Sequence, residues 1–273
     1  YKRQARTSPS LRSSSGPSLQ PGSSQAVPVV PAVATHAYTG AMTDQLDDTD
    51  QFDDTRTIVP DAEKYNATLV KREDDTDSLG RFWVRPDGEA AHFEPGQYMT
   101  IGVFADDKLY QRPYSVASAP QATGEEGYEF YVRLVPILRF TTLLWRLPVG
   151  HQMRMIGPKG RFMLEPDDDR AHLFVSTGTG IAPFIAMTRQ LIADGTPRRT
   201  VMLHGCSYQD ELGYGEWLSD LEQSGDYPMT YVPTISRADD PRNRGWEGYT
   251  GRAEAVVRDV CQNEGLRPDD TVV

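Results

Sequence analysis

Cysteine is nearly missing from this chain of 273 residues, which holds two, Cys206 and Cys261. Two thiols cannot ligate an iron–sulfur cluster or a four-cysteine zinc site, and they supply no disulfide framework. Long apolar runs are missing as well. No run of uncharged apolar residues reaches the ~18 that a membrane-spanning helix needs, which excludes such a span. Lysine is scarce, at five residues against 23 arginines. Basic charge as a whole falls short, with 28 basic residues facing 39 acidic ones and a net charge of −11. A nucleic-acid backbone would be repelled, so nucleic acid is not an expected partner. Acidity rests mainly on Asp, 25 residues against 14 Glu, a surface that suits concentrated salt and equally an ordinary acidic cytoplasmic enzyme. His92, His151, His172 and His204 lack metal-ligand spacing and read as structural.

Acidic residues are themselves absent from residues 1–41, where Lys2, Arg3, Arg6 and Arg12 stand among eight Ser and five Pro. No apolar period appears there, so the segment reads as disordered. A transit peptide and a non-native leader ahead of Met42 are its two readings. Residues 43–60 read as an acidic linker, and order is expected from near Tyr65.

The remaining length can bury two cores of ordinary size. Strands are predicted at 65–72, 79–85, 97–104, 112–117 and 128–135, the fourth carrying Pro113 near its start, where a missing N–H is tolerated. Short strands at this spacing predict an antiparallel barrel over 61–167. One helix fits at 141–147, closed by Pro148 and Gly150. After Glu165 the rhythm changes to strand-then-helix units beginning at 171–177, 200–206 and 229–236. Three such units predict a parallel α/β sheet over 168–273. Asp270 to Val273 read as the opening of a further strand, with the rest of the sheet missing beyond it.

Two segments carry chemistry. In Arg112-Pro113-Tyr114-Ser115, strand alternation puts Arg112 and Tyr114 on one face. A planar cationic fork, a flat ring and a small hydroxyl suit a phosphate-bearing aromatic cofactor. The second segment, Ser176-Thr177-Gly178-Thr179-Gly180-Ile181-Ala182-Pro183, lies between a strand and a helix. Its glycines let a pyrophosphate approach the backbone, and the helix start offers free N–H groups. The third glycine of the dinucleotide fingerprint is missing, since Pro183 takes its place.

Together these segments resemble the ferredoxin–NADP reductase family, bacterial-type flavoprotein reductases. The resemblance runs from about Tyr65 to Val273 and is strongest in RPYSVASAP (112–120), EFYVRLVP (129–136), GPKGRF (157–162) and STGTGIAPF (176–184). It implies a flavin-binding antiparallel barrel followed by a parallel-sheet nicotinamide nucleotide-binding domain. It also implies FAD, NADP and electron transfer between NADPH and ferredoxin or flavodoxin. By that resemblance Arg112 binds the flavin phosphate, Tyr114 stacks on the isoalloxazine and Ser115 bonds near N5. Val132 and Leu134 line the flavin. Phe140, Thr141 and Thr142 form a pyrophosphate turn in which Thr141 is expected to cap the helix. Phe140 and Leu134 read equally well as core packing.

In the second domain the resemblance sets Thr177 to Pro183 against the nicotinamide and its pyrophosphate. The catalytic set it implies is Tyr114, Ser115 and Thr177. Ser236, Arg237 and Arg252 match positions that hold the 2′-phosphate of NADP, while Ser207 stands where some bacterial members carry a third Arg. The family's cysteine near the nicotinamide and its C-terminal tail over the flavin are missing. Cys206 and Cys261 read as packing. Arg139, Arg154 and Arg161 form an expected docking patch for an acidic carrier. Two other readings stay open: an NAD(P)H:flavin or oxygenase reductase on the same fold, and a non-catalytic flavin-binding module.

Overall fold

The protein is described by a computed structural model covering residues 55–166 and 168–273. The expected leader (1–41) and most of the expected linker (43–54) lie outside the described residues.

The first six strands are β1 (Ala67–Thr76), β2 (Leu79–Pro86), β3 (Tyr98–Ala105), β4 (Lys108–Ser115), β5 (Tyr128–Arg133) and β6 (Gln152–Lys159). They pair antiparallel in the order β4-β3-β6-β1-β2-β5. Closure follows just beyond β4, where Val116 bridges Phe130 and the Ala117 N–H donates to the Glu129 carbonyl at 2.8 Å. That bridge ties the two terminal strands together at one end, shortening the edges that would otherwise present unpaired N–H and C=O groups. Inside lie Leu69, Phe82, Val84, Ile101, Phe130 and Met153, all fully buried.

Two helices belong to this layer, a short α1 (Thr123–Glu126) and α2 (Arg139–Arg146). α2 plugs the barrel with Phe140, Leu143 and Leu144. Against the sequence expectation the barrel has a sixth strand, β6. Order also begins before Tyr65: Ile58 bridges Ala105, and the Val59 N–H donates to the Phe104 carbonyl at 2.9 Å.

The second sheet is built from β7 (Ala171–Thr177), β8 (Thr200–Cys206), β9 (Met229–Ile235), β10 (Tyr249–Thr250) and β11 (Thr271–Val272). All its pairs are parallel, in the order β10-β9-β8-β7-β11. Every residue of β8 is buried, as expected for a strand covered on both faces. The covers are α3 (Ala182–Ala193), α4 (Gly215–Ser224) and α5 (Ala253–Asn263). The chain runs outward from β7 through β8 and β9 to β10, then returns to place β11 on the other side of β7. Strand order therefore reverses at β7. In open α/β sheets ligands bind outside the carboxyl ends of the strands at such a reversal.

Candidate functional site

On β4, Tyr110, Arg112 and Tyr114 alternate onto the face where α2 docks. The Tyr114 ring lies 5.9 Å from Phe140, in the first turn of α2. Burial pushes the Tyr114 phenol well above its ordinary value, and nearby Arg112 pulls it back in part. Arg112 itself is exposed. Its guanidinium donates to the neighbouring Gln111 carbonyl at 3.0 Å and has no carboxylate partner among the described residues. Pro113 is exposed beside it, near the end of β4 rather than its start, and Ser115 is half-buried where the strand ends.

Thr141 departs from expectation. The cap position of α2 belongs to Leu138, which makes no side-chain capping bond. Thr141 is 2% exposed, and its hydroxyl donates to the carbonyls of Val135 and Leu138 and accepts from the Val135 N–H, at 2.9–3.1 Å. Those bonds hold the 135–138 turn and leave the hydroxyl no free reach toward an anion. The Thr142 hydroxyl accepts from Arg56 at 3.2 Å and donates to the Arg139 carbonyl. Phe140 and Val132 are core residues of the barrel, while Leu134 is half-buried and donates its N–H to the Ser78 carbonyl. Val132 and Phe140 could therefore meet a cofactor only through backbone or ring edge.

At the strand-order reversal, β7 ends on exposed Thr177 and enters a 3₁₀ turn, Gly178–Ile181, before α3. Gly178 has φ +51°, a left-handed conformation that glycine adopts without Cβ strain. A Cβ added at Gly178 or Gly180 would meet no atom within 4 Å, so both face open space that a ligand could fill. Behind them Ile181 and Ala182 are buried in the core, Pro183 is buried in the first turn of α3, and Thr179 is half-buried. Their side chains pack, so recognition here falls to backbone N–H groups at a helix start. His204 supports the turn: it is fully buried, with Nε2 3.1 Å from the Gly178 carbonyl and Nδ1 3.3 Å from the Tyr231 hydroxyl. Burial pushes its pKa down to about 4. Cys206 is buried too, its thiol pushed up to about 12 by desolvation, and it packs rather than reacts.

Two strands over, Ser236 and Arg237 leave the end of β9, and Arg252 caps α5 just after β10. β9 and β10 pair parallel with Thr234 opposite Tyr249 and Ile235 opposite Thr250, and the Gly251 N–H donates to the Ile235 carbonyl at 2.7 Å. That register brings Arg237 and Arg252 to one edge. Both are exposed; Arg237 lies 5.2 Å from the Tyr208 ring and donates to its hydroxyl, and Arg252 stands 3.9 Å from Glu254. Sequence reading missed the rest of this edge. Arg242 stacks 3.6 Å from the Tyr208 ring and pairs with Asp210 at 2.7 Å. Buried Asn243 ties the loops together, accepting from the Gln209 N–H and donating to the carbonyls of Ser207 and Arg237. Apart from the Asn243–Arg237 bond, these contacts join residues some 30 positions apart and leave no periodic signal.

The two segments meet at the junction of barrel and sheet. One hydrophobic cluster contains Leu79, Ala117 and Tyr131 from the barrel with Phe174, Ile181 and Ala182 from the sheet side. Ala117 lies two residues past Ser115, and Ile181 follows Gly180. Two ion pairs cross the same junction: Glu129 to Arg189 at 2.6 Å and Arg133 to Glu211 at 2.8 Å. The Tyr214 hydroxyl adds a 2.6 Å bond to Glu129. Gly213 is required here, because a Cβ would fall 1.8 Å from the Tyr131 hydroxyl.

Unpaired Arg112 beside a half-buried aromatic, and a glycine turn open at a strand-order reversal, fit a flavin in the barrel and a dinucleotide on the sheet. This arrangement defines a two-domain flavoprotein oxidoreductase. The family models agree: residues 66–164 match the oxidoreductase FAD-binding domain, and residues 174–272 the oxidoreductase NAD-binding domain. Ferredoxin–NADP reductase B of Sorangium cellulosum is 31% identical over 176 residues, 64% of this chain and 69% of that protein. Methane monooxygenase component C of Methylosinus trichosporium is 35% identical over 135 residues, 49% of this chain and 38% of that protein. A ferredoxin NADP+ reductase from Neisseria gonorrhoeae, solved with bound FAD and NADP, has the same fold, with a TM-score of 0.62 at 22% identity over 77% of this chain and 84% of that one. The chain belongs to the ferredoxin–NADP reductase family. Among the described residues no helix is long and apolar enough to cross a membrane.

Proposed function

We propose that the chain is a ferredoxin–NADP reductase, moving electrons between NADPH and a ferredoxin or flavodoxin in the cytoplasm. The carrying observation is the junction, where Ala117 behind the Arg112–Ser115 segment packs with Ile181 and Ala182 behind the glycine turn. This packing supports a close approach of two cofactor rings. In this reading Arg112 holds the flavin phosphate, Tyr114 stacks on the ring and Ser115 donates near N5. Residues 177–183 hold the nicotinamide nucleotide, through the backbone N–H groups of all but Pro183. Bound FAD would supply the chemistry, taking hydride from the nicotinamide and releasing single electrons. The chain contributes alignment, with barrel and sheet tied by two ion pairs whose carboxylates are buried and whose arginines are half-buried. Arg237 and Arg252, on one exposed edge, favour NADPH over NADH. The domain limits that go with this reading are 61–167 and 168–273.

The likeness to methane monooxygenase component C supports a second reading, a reductase serving an oxygenase. Parallel assays with NADPH and either ferredoxin, flavodoxin, free FMN or an oxygenase component separate the two. Fast reduction of a carrier protein is the expected result. Turnover with free FMN alone would overturn the carrier assignment. Reversing charge at Arg154 and Arg161 should slow carrier reduction while leaving flavin content unchanged.

A further inference from the structure

We infer that Arg56, which precedes the barrel, is a second cation for the flavin's diphosphate and sets a preference for FAD over FMN. The inference rests on the flavin reading of the barrel. The segment around Arg56 is fastened to the barrel: the Thr57 N–H donates to the Asp106 carboxylate at 3.0 Å, and Ile58 bridges Ala105. Its guanidinium is thereby held 5.3 Å from the Tyr110 ring. Tyr110 shares its β4 face with Arg112 and Tyr114, because side chains two apart on a strand point the same way. Across the gap, Arg56 donates to the Thr142 hydroxyl at 3.2 Å. Arg56 thus spans from β4 to the first turn of α2, on the far side of Arg112 from Tyr114.

Successive residues on this face stand ~6.6 Å apart along the strand. A ring stacked at Tyr114 puts its first phosphate near Arg112 and the continuing adenylate half near Tyr110 and Arg56. No carboxylate among the described residues pairs with Arg56, and its Nε is buried without a hydrogen-bond partner. A guanidinium without a carboxylate partner can offer its terminal donors to a phosphate oxygen. FMN ends at its single phosphate and would have no group to offer there.

The test measures FAD and FMN affinity by fluorescence on flavin-stripped protein, for the wild type, Arg56→Ala and Arg56→Gln. Arg56→Gln keeps a donor for Thr142 and removes the charge. Expected is a loss of FAD affinity of about 10- to 100-fold in both variants, with FMN affinity changed less than threefold, as a lost charge-assisted bond predicts. Thermal melting of the flavin-free forms checks that the segment still docks. Wild-type FAD affinity in both variants would overturn the inference and leave the flavin reading intact. Equal losses for FAD and FMN would also overturn it, assigning Arg56 to holding the fold. A wild-type protein that binds neither flavin would overturn both.

Discussion

Removing the Arg189 side chain tests how the two halves of the molecule are held. Glu129 is 3% exposed, and its carboxylate receives the Arg189 guanidinium at 2.6 Å and the Tyr214 hydroxyl at 2.6 Å. The same guanidinium donates to the Ala117 carbonyl at 2.9 Å and lies 5.6 Å from the Tyr214 ring and 5.5 Å from the Trp217 ring. Arg189→Met keeps the side-chain bulk but strands a buried carboxylate. Breaking one partner of a buried pair costs about 3–5 kcal/mol. For a molecule of this size that corresponds to a fall in melting temperature of roughly 6–20 °C. The exposed Arg267–Asp270 pair is the control, since an exposed pair contributes at most about 1 kcal/mol. In the double variant Glu129→Gln/Arg189→Met no charge is buried, so part of the loss should return. Thermal and urea unfolding of the four proteins decides the matter. A single variant within 1 kcal/mol of wild type, or a double variant less stable than the single, would refute the reasoning.

Three further outcomes are expected. Arg237→Ala and Arg252→Ala should each weaken NADPH binding by about tenfold and leave NADH unchanged, the amount expected for one charge-assisted bond to the extra phosphate; equal losses for both nucleotides would contradict this. Thr141→Val should cost about 1–3 kcal/mol in urea unfolding, because the Val135 N–H and carbonyl lose a buried partner, and a neutral effect would restore a surface role for that hydroxyl. His204 is held neutral by burial with a pKa near 4, below its ordinary 6.5. As pH falls from 6.5 toward 4 the unfolded chain takes up this proton before the folded one, so stability is full above 6.5 and about 3 kcal/mol of it is lost on reaching 4. Unfolding free energies against pH for wild type and His204→Gln should differ in slope by up to one proton across that window, and parallel curves would rule it out.

Much of the fold is legible in the residues, and the failures have physical causes. β2, β7, β8 and β9 fall within a residue of their predicted limits, because apolar alternation or continuous apolar runs mark strands covered on one or two faces. β6 has no counterpart among the predicted strands; its pairing with β3 is interrupted at Gly157-Pro158, where the register shifts between Ile156 and Lys159, so it lacks the continuous alternation that marks the other strands. The start of α2 is misjudged because Thr141 is an attractive cap residue. The helix begins two residues earlier, and the hydroxyl serves the turn before it. Motif reading finds the Arg112 and Gly178 segments but not which of their side chains face inward, so Ile181, Ala182 and Val132 prove to be core. Arg56, Tyr208, Arg242 and Asn243 acquire meaning only from contacts between distant loops.

The central claim is that this chain passes hydride equivalents from NADPH to a flavin held against β4. Anaerobic titration of the purified, FAD-loaded protein tests it most directly, following flavin absorbance as NADPH and then, in a separate sample, NADH is added. The account predicts a flavin spectrum bleached by NADPH at about a tenth or less of the NADH concentration required. A bound flavin that neither nucleotide bleaches, or a protein that takes up no FAD, would contradict it.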